Sequence, residues 1–139
     1  MKNILIDAGP LIALFDKKDS YHTSIISFIP QIKDRLITTW PVIAEVCHML
    51  SFSVPCQLDF LTWCDRGGLT IEDISETDIK RIIALTKKYN NVPMDLADAT
   101  LMILAERLEV SEIISIDSDY YVYRTMKKEM VKNIFETRK

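Results

Sequence analysis

Short apolar runs alternate along this chain with longer stretches in which apolar residues recur at helical spacing. Asn3 to Ile6 reads as a first buried strand, closed by Asp7, Ala8, Gly9 and Pro10. Pro10 is suited to start a helix over Leu11 to Phe15. A polar break from Asp16 to Asp19 leads to Ser20, a candidate N-cap for a second helix that runs to about Phe28 and stops at Pro30. Arg35 to Thr39 is a second candidate strand. Behind it, Val42, Ile43, Val46, Met49 and Leu50 fall at helical spacing between Pro41 and Phe52, with Glu45 among them. Pro55 breaks that pattern, Leu58 to Cys64 suggests another helix, and Gly67 with Gly68 turns the chain into a third short strand, Leu69 to Ile71.

Ser75 followed three residues later by Asp78 is a capping-box pattern that opens a helix to about Tyr89. After the break at Asn90 to Pro93, Met94 to Leu108 is the longest helical pattern, with Leu96, Ala99, Ile103 and Leu104 directed inward. Ile113 to Ile116 is the fourth strand, Ser118 to Tyr123 a turn or short helix, and Asn133 to Phe135 a candidate edge strand. This alternation predicts an α/β domain whose mostly parallel sheet of four or five strands is covered on both faces by helices. A length of 139 residues suits one domain spanning 1–139.

Acidic residues stand where these elements begin or end. Asp7 closes the first strand and Asp117 the fourth; Glu45 lies about one turn into the third helical segment, and Asp98 lies near the start of the helix opened around Met94. Asp95 is three residues before Asp98, hence a neighbour on one helical face, and Asp119 follows Asp117 closely. Parallel sheets place their reactive groups at the carboxyl ends of the strands, so the four carboxylates are expected to face one crevice. Two carboxylates roughly 5 Å apart repel by about 3 kcal/mol at an effective dielectric near 20, so protons or a cation must neutralise such a cluster. With oxygen donors only, a hard ion, Mg²⁺ or Mn²⁺, is favoured over Zn²⁺, and metal-assisted chemistry on phosphate esters becomes the leading reaction class.

Composition narrows the field. Hydrophobic residues at 48% and charged residues at 27% indicate a folded chain rather than a disordered one. A net charge of −3 argues against gripping nucleic acid by bulk electrostatics, which leaves local basic groups, Arg124, Lys127, Lys128, Lys132, Arg138 and Lys139, to contact phosphates. Cys47, Cys56 and Cys64 are odd in number without CxxC spacing, which points to reduced thiols. His22 and His48 make no HxxxH pattern and suit helix-surface or capping roles. The absence of a leader pattern and of any apolar run near 18 residues sets the expectation of a cytoplasmic protein with no membrane contact.

Four segments carry a family resemblance. They are Ile4-Leu5-Ile6-Asp7-Ala8-Gly9-Pro10-Leu11-Ile12-Ala13-Leu14, Thr38-Thr39-Trp40-Pro41-Val42-Ile43-Ala44-Glu45-Val46, Asp95-Leu96-Ala97-Asp98-Ala99 and Ser115-Ile116-Asp117-Ser118-Asp119-Tyr120. In this order and spacing the chain resembles the PIN domain, especially the VapC-like ribonuclease toxins of toxin–antitoxin systems. The resemblance implies a three-layer α/β/α fold and cleavage of RNA phosphodiester bonds dependent on Mg²⁺ or Mn²⁺. It makes Asp7, Glu45, Asp98 and Asp117 the catalytic, metal-binding acids, with Asp95 as a further metal ligand and Asp119 beside the site. Where relatives often carry Thr-x-Asp, this chain has Ser115-Ile116-Asp117, which keeps the hydroxyl. Thr38, Thr39 and Ser115 are candidates to hydrogen-bond a ligating carboxylate or the substrate phosphate.

Two other function classes compete. A binding or regulatory module is one, either a receiver-like phosphoacceptor domain or a noncatalytic PIN-like domain. No Lys closes a strand here as a receiver requires, and none of the four acids is missing. A metal-dependent phosphoesterase acting on DNA flaps or a small phosphate ester is the other, and the absence of a long insertion weighs against a flap nuclease. The expected partners are an RNA substrate and an antitoxin that inserts a helix or extended tail with a basic side chain near the acids. A homodimer is left open, with Leu11, Ile12, Phe15, Phe28, Trp40 and Trp63 as candidates to line an apolar groove or dimer face.

Overall fold

The computed structural model describes residues 1–135. Its centre is β1 (Asn3–Ile6), in which Ile4, Leu5 and Ile6 point alternately to opposite sides and are all buried. A strand that is apolar on both faces needs a covering layer on each. Around it lie β2 (Arg35–Thr39), β3 (Thr70–Glu72), β4 (Glu112–Ile114) and β5 (Lys132–Asn133), in the order β3-β2-β1-β4-β5 with every pair parallel. The crossovers are supplied by α1 (Ala8–Phe15), α2 (His22–Phe28), α3 (Trp40–Met49), α4 (Val54–Asp65), α5 (Ile79–Lys88) and α6 (Leu96–Arg107). α1 packs on α2, α3 and α4, while α6 packs on α3 and α5, completing the expected three-layer α/β/α arrangement.

Local chemistry moves several boundaries from their expected places. α1 begins at Ala8 rather than Leu11, because the Asp7 carboxylate accepts from the Ala8 N–H (2.8 Å) and caps the helix; Pro10 sits in its first turn. Ser20 is not the cap of α2: Asp19 takes the local role, accepting from the Tyr21 N–H (2.8 Å), and the helix starts at His22. Pro30 does not stop the chain turning but lies inside a 3-10 turn, Ile29–Gln31. α3 ends at Met49, short of Phe52, and the next helix, expected from Leu58, already starts at Val54 with Pro55 in its first turn, since Ser53 caps it through the Cys56 N–H (3.3 Å). The Ser75/Asp78 pattern behaves as expected, with Asp78 accepting from the Ser75 N–H (2.9 Å) ahead of α5.

The start of α6 differs in a way that matters for function. Asp95 is its N-cap and Asp98 its third residue, a reciprocal capping box in which Asp95 accepts from the Asp98 N–H (2.8 Å). This rotates Leu96 outward, 57% exposed against its expected inward direction, and turns Asp98 into the domain. β4 stops at Ile114 because the next backbone pair is made by a side chain. Asn133 accepts from the Ser115 N–H (3.1 Å) and donates to the Ser115 carbonyl (2.9 Å), so β5 ends at Asn133 rather than Phe135.

Strand order makes β1 and β4 neighbours although β1 is followed in sequence by β2 on its other side. Chain direction therefore diverges between β1 and β4, and such a switch point opens a crevice beyond the carboxyl ends of those two strands. Asp7 follows Ile6 there, and Ser115 follows Ile114, its partner in register. A second tie fixes the adjoining helices. Thr100 donates to the Ala97 carbonyl (2.7 Å), so Thr39 is the donor in the buried Thr39–Thr100 hydroxyl pair (2.7 Å) that joins the end of β2 to α6.

Thr39→Val should cost about 1 kcal/mol of stability, the usual net worth of one buried hydrogen bond. Adding Thr100→Val should cost less than the two single losses combined, because both changes remove the same pair. Urea unfolding of the four proteins checks this; strictly additive losses would place the hydroxyls out of contact.

Candidate active site

Asp7 and Ser115 form the floor of the crevice. The Asp7 N–H donates to the Ile114 carbonyl (3.1 Å), extending the β1–β4 ladder by one step, and this aims the carboxylate past the strand ends. There Oδ1 accepts from the Ala8 N–H and Oδ2 from the Ser115 hydroxyl (3.2 Å). The Ser115 hydroxyl also accepts from the Asp117 N–H (2.9 Å), so it joins two of the expected acids. Asp117 caps the 3-10 turn Ser118–Tyr121 by accepting from the Asp119 N–H (2.9 Å).

Asp98 completes the group from the opposite wall. One carboxylate oxygen from each of Asp7, Asp98 and Asp117 lies within 4.8 Å of the other two. Two residues that sequence reasoning did not single out hold Asp98: the Tyr120 hydroxyl donates to Oδ1 (3.0 Å) and the Tyr123 hydroxyl to Oδ2 (3.1 Å). Their only local signal was the three-residue spacing after Asp117, with Tyr120 inside the 3-10 turn and Tyr123 just beyond it.

Glu45 and Asp95 stand outside this trio. Both are exposed; Asp95 spends one carboxylate oxygen on the Asp98 N–H, and Glu45 feels its surroundings as charge. Burial, then Asp95 and Asp117, raise the Glu45 carboxyl above its ordinary value. Asp119 is raised by burial and by Asp117, as a group beside the cluster would be.

The electrostatics of the trio are those of like charges held from water. Burial, and next the charge of Asp98, push the Asp7 carboxyl up to about 7 against the opposing pull of the Ala8 N–H and the Ser115 hydroxyl. Asp98 is likewise pushed up to about 7, by burial and then by Asp95, although both tyrosine hydroxyls favour its charged form. None of the four ion pairs among the described residues involves any of these acids. Three converging carboxylates, two of them buried, with neither a protein cation nor a nitrogen or sulfur donor among them, fit a hard divalent ion.

Other expected participants do different work. Thr38 donates to the Ile6 carbonyl (2.9 Å) and Thr39 to Thr100, so neither reaches a carboxylate; Ser115 alone of the three hydroxyls does. Arg124 donates to the carbonyls of Tyr121 and Tyr123, Lys127 reaches Glu109 at 3.7 Å, and Lys128 and Lys132 are exposed. Arg138 and Lys139 lie outside the described residues. Leu11 is buried, and Phe15, Trp63 and Phe28 pack in the core, Phe15 against Phe60 and Trp63, Phe28 against Phe135. Ile12 is packed there too, which leaves Trp40, 60% exposed, as the one member of the expected apolar groove at the surface. His22 binds the Ala13 carbonyl through Nδ1 (2.6 Å), a capping role, and the cysteines are free thiols, with Cys64 pushed up to about 11 by burial. No helix among the described residues is long and apolar enough to cross a membrane.

Comparison with known proteins agrees with this geometry. The PIN domain family model matches residues 4–125. Ribonuclease VapC26 of Mycobacterium tuberculosis is 23% identical over 120 residues, covering 85% of this chain and 89% of that protein. Among solved structures, VapC20 of Mycobacterium tuberculosis, a sarcin-ricin loop cleaving toxin, superposes with a TM-score of 0.78 at 12% identity, covering 86% of this chain and 93% of that one. VapBC2 from Rickettsia felis, bound to a DNA fragment from its promoter, gives 0.61 at 14% identity and covers 95% and 98%.

The raised acids predict an unusual pH dependence. Asp7 and Asp98 titrate near 7 in the folded chain against an ordinary value of 3.8, so the folded state binds more protons than the unfolded state between about pH 4 and 7. Stability without metal should therefore fall as pH rises through that window and level off above it. Melting temperatures measured in chelator from pH 4 to 8 test the sign, and a rise with pH would contradict it.

Proposed function

The chain belongs to the PIN-domain family, and from that premise we propose that it is a Mg²⁺- or Mn²⁺-dependent endoribonuclease, the toxin of a VapBC-type toxin–antitoxin pair. The observation that carries the reading is the convergence of Asp7, Asp98 and Asp117 at the sheet's switch point without a protein cation. The names of VapC26, a ribonuclease, and VapC20, a toxin that cleaves the sarcin-ricin loop, support an RNA substrate. The VapBC2 assembly supports an antitoxin partner, which in this chain would place a basic side chain against the uncompensated acids. We take residues 1–139 as one such unit acting in the cytoplasm, where RNA and antitoxin are both at hand.

Each residue has a part that follows from its position. Asp7, Asp98 and Asp117 hold the ion, Asp7 from the strand end, Asp98 from α6 and Asp117 from the turn after β4. A bound divalent ion supplies an acidified water and shields charge on the phosphate. Glu45, on the exposed wall with its carboxyl raised, would take a proton from the attacking water, and Asp95 orients Asp98 through the capping box while adding negative charge at the rim. Ser115 keeps Asp7 and Asp117 in register.

Purified protein incubated with total RNA and Mn²⁺ should cut internal phosphodiester bonds, and chelator should stop it. Asp98→Asn should lower the rate about 10²- to 10³-fold, the order lost when one preorganised electrostatic group is removed from a transition state. Cleavage that persists in chelator would remove the metal-dependent reading. Asp7→Asn keeps an oxygen to accept from the Ala8 N–H, so it should melt higher than wild type at pH 8 without metal yet lose the stabilisation that Mn²⁺ confers. Equal Mn²⁺-induced shifts in melting temperature would place Asp7 outside the site.

A further inference from the structure

The turn that supplies Asp117 also grips Asp98. Tyr120 lies within the 3-10 turn capped by Asp117, and Tyr123 follows it; their rings meet edge to face at 5.2 Å, and Tyr123 meets Tyr89 in the same way at 5.1 Å. Tyr89 is anchored in turn, because its hydroxyl oxygen accepts from the Arg124 N–H (2.8 Å). The two phenols are at most 1% exposed, and each donates to a different oxygen of Asp98.

We infer that Tyr120 and Tyr123 are positioning residues that clamp the Asp98 carboxylate by both oxygens and set its plane toward Asp7 and Asp117. The inference rests on the metal-site reading above. A carboxylate offers about four lone-pair positions. On Oδ2, Tyr123 takes one, and the Asp95 N–H, at 3.5 Å, lies over the other; on Oδ1, Tyr120 takes one and leaves one. Oδ1 is thus the oxygen directed to a cation. Because the clamp and Asp117 sit on one short segment, the spacing between two ligands from different elements is set by that segment rather than by sheet and helix alone. Groups that orient a metal-binding side chain in this manner typically govern affinity by 10- to 100-fold.

Tyr120→Phe and Tyr123→Phe keep the ring packing and delete one donor each. Mn²⁺ affinity measured by calorimetry on the full chain should weaken about tenfold or more in each variant. Tyr21→Phe, whose ring packs on Phe135 and whose hydroxyl makes none of the hydrogen bonds to the acids, should bind Mn²⁺ as wild type does. A purely structural role is separated by a thermodynamic cycle: in an Asp98→Asn background, Tyr123→Phe should add no further loss of Mn²⁺ affinity. Unchanged affinity in both single variants, or full additivity with Asp98→Asn, overturns the clamp and leaves the metal-site reading intact. A wild-type chain that binds no Mn²⁺ removes that reading and the clamp together.

Discussion

Like charge held away from water is the constraint on which this molecule turns. Three carboxylate oxygens lie within 4.8 Å of one another. If all were ionised, each pair would repel by roughly 3 kcal/mol at an effective dielectric near 20, or about 10 kcal/mol for three pairs. Helix N-termini face Asp7 and Asp98, each worth about 0.3–1 kcal/mol. Hydrogen bonds from Ser115, Tyr120 and Tyr123 contribute about 1.5–3 kcal/mol each, net of the water they replace. These supports are of the same order as the repulsion and leave the desolvation of the buried Asp7 and Asp98 unmet, which pushes both carboxyls up to about 7 and favours a proton or a cation there.

The fold supplies that arrangement through connectivity rather than through any single strong contact. A parallel sheet whose order reverses between β1 and β4 leaves the carboxyl ends of those strands uncovered, while the starts of α1 and α6 come to the same edge. The core that enforces it is apolar on both sides of β1, β2 and β4, with Leu5, Ile37, Ile113 and Ile114 fully buried. Since the cost of crowding acids is carried by this core, the site can remain charged without the domain depending on it for cohesion.

How much of this was legible follows from the range of the interactions. Strand existence was readable because Ile4-Leu5-Ile6 and Ile113-Ile114 are short apolar runs with clear ends; Asp7 and Asp117 were readable because they follow those ends, and Asp98 because it opens a long helical pattern, whereas Glu45, read from the same edge argument, stands outside the trio. Helix starts were misplaced wherever a polar side chain claimed an early N–H: Asp7 brought α1 forward to Ala8, and Ser53 brought α4 forward past Pro55. Leu96 turned outward for the same reason, since a cap at Asp95 fixes the phase of the whole helix, while Asp98 faces the crevice as expected. The tyrosine clamp and the Asn133 pairing with Ser115 join residues 22, 25 and 18 positions apart, and no local pattern announces contacts of that separation.

Charge was the most misleading property at sequence level. A formal value of −3 suggests a poor match for RNA, but it counts every carboxylate as ionised and free. Asp7 and Asp98, each near 7, share their sites with protons around neutral pH, and one divalent ion in the crevice would bring −3 to −1. What an approaching phosphate meets is set within a Debye length of about 8 Å at physiological salt, so the local charge at the crevice matters more than the sum over the chain. Composition excludes bulk electrostatic gripping. It says nothing against a substrate held at one cation, which is the contact the proposed reading requires.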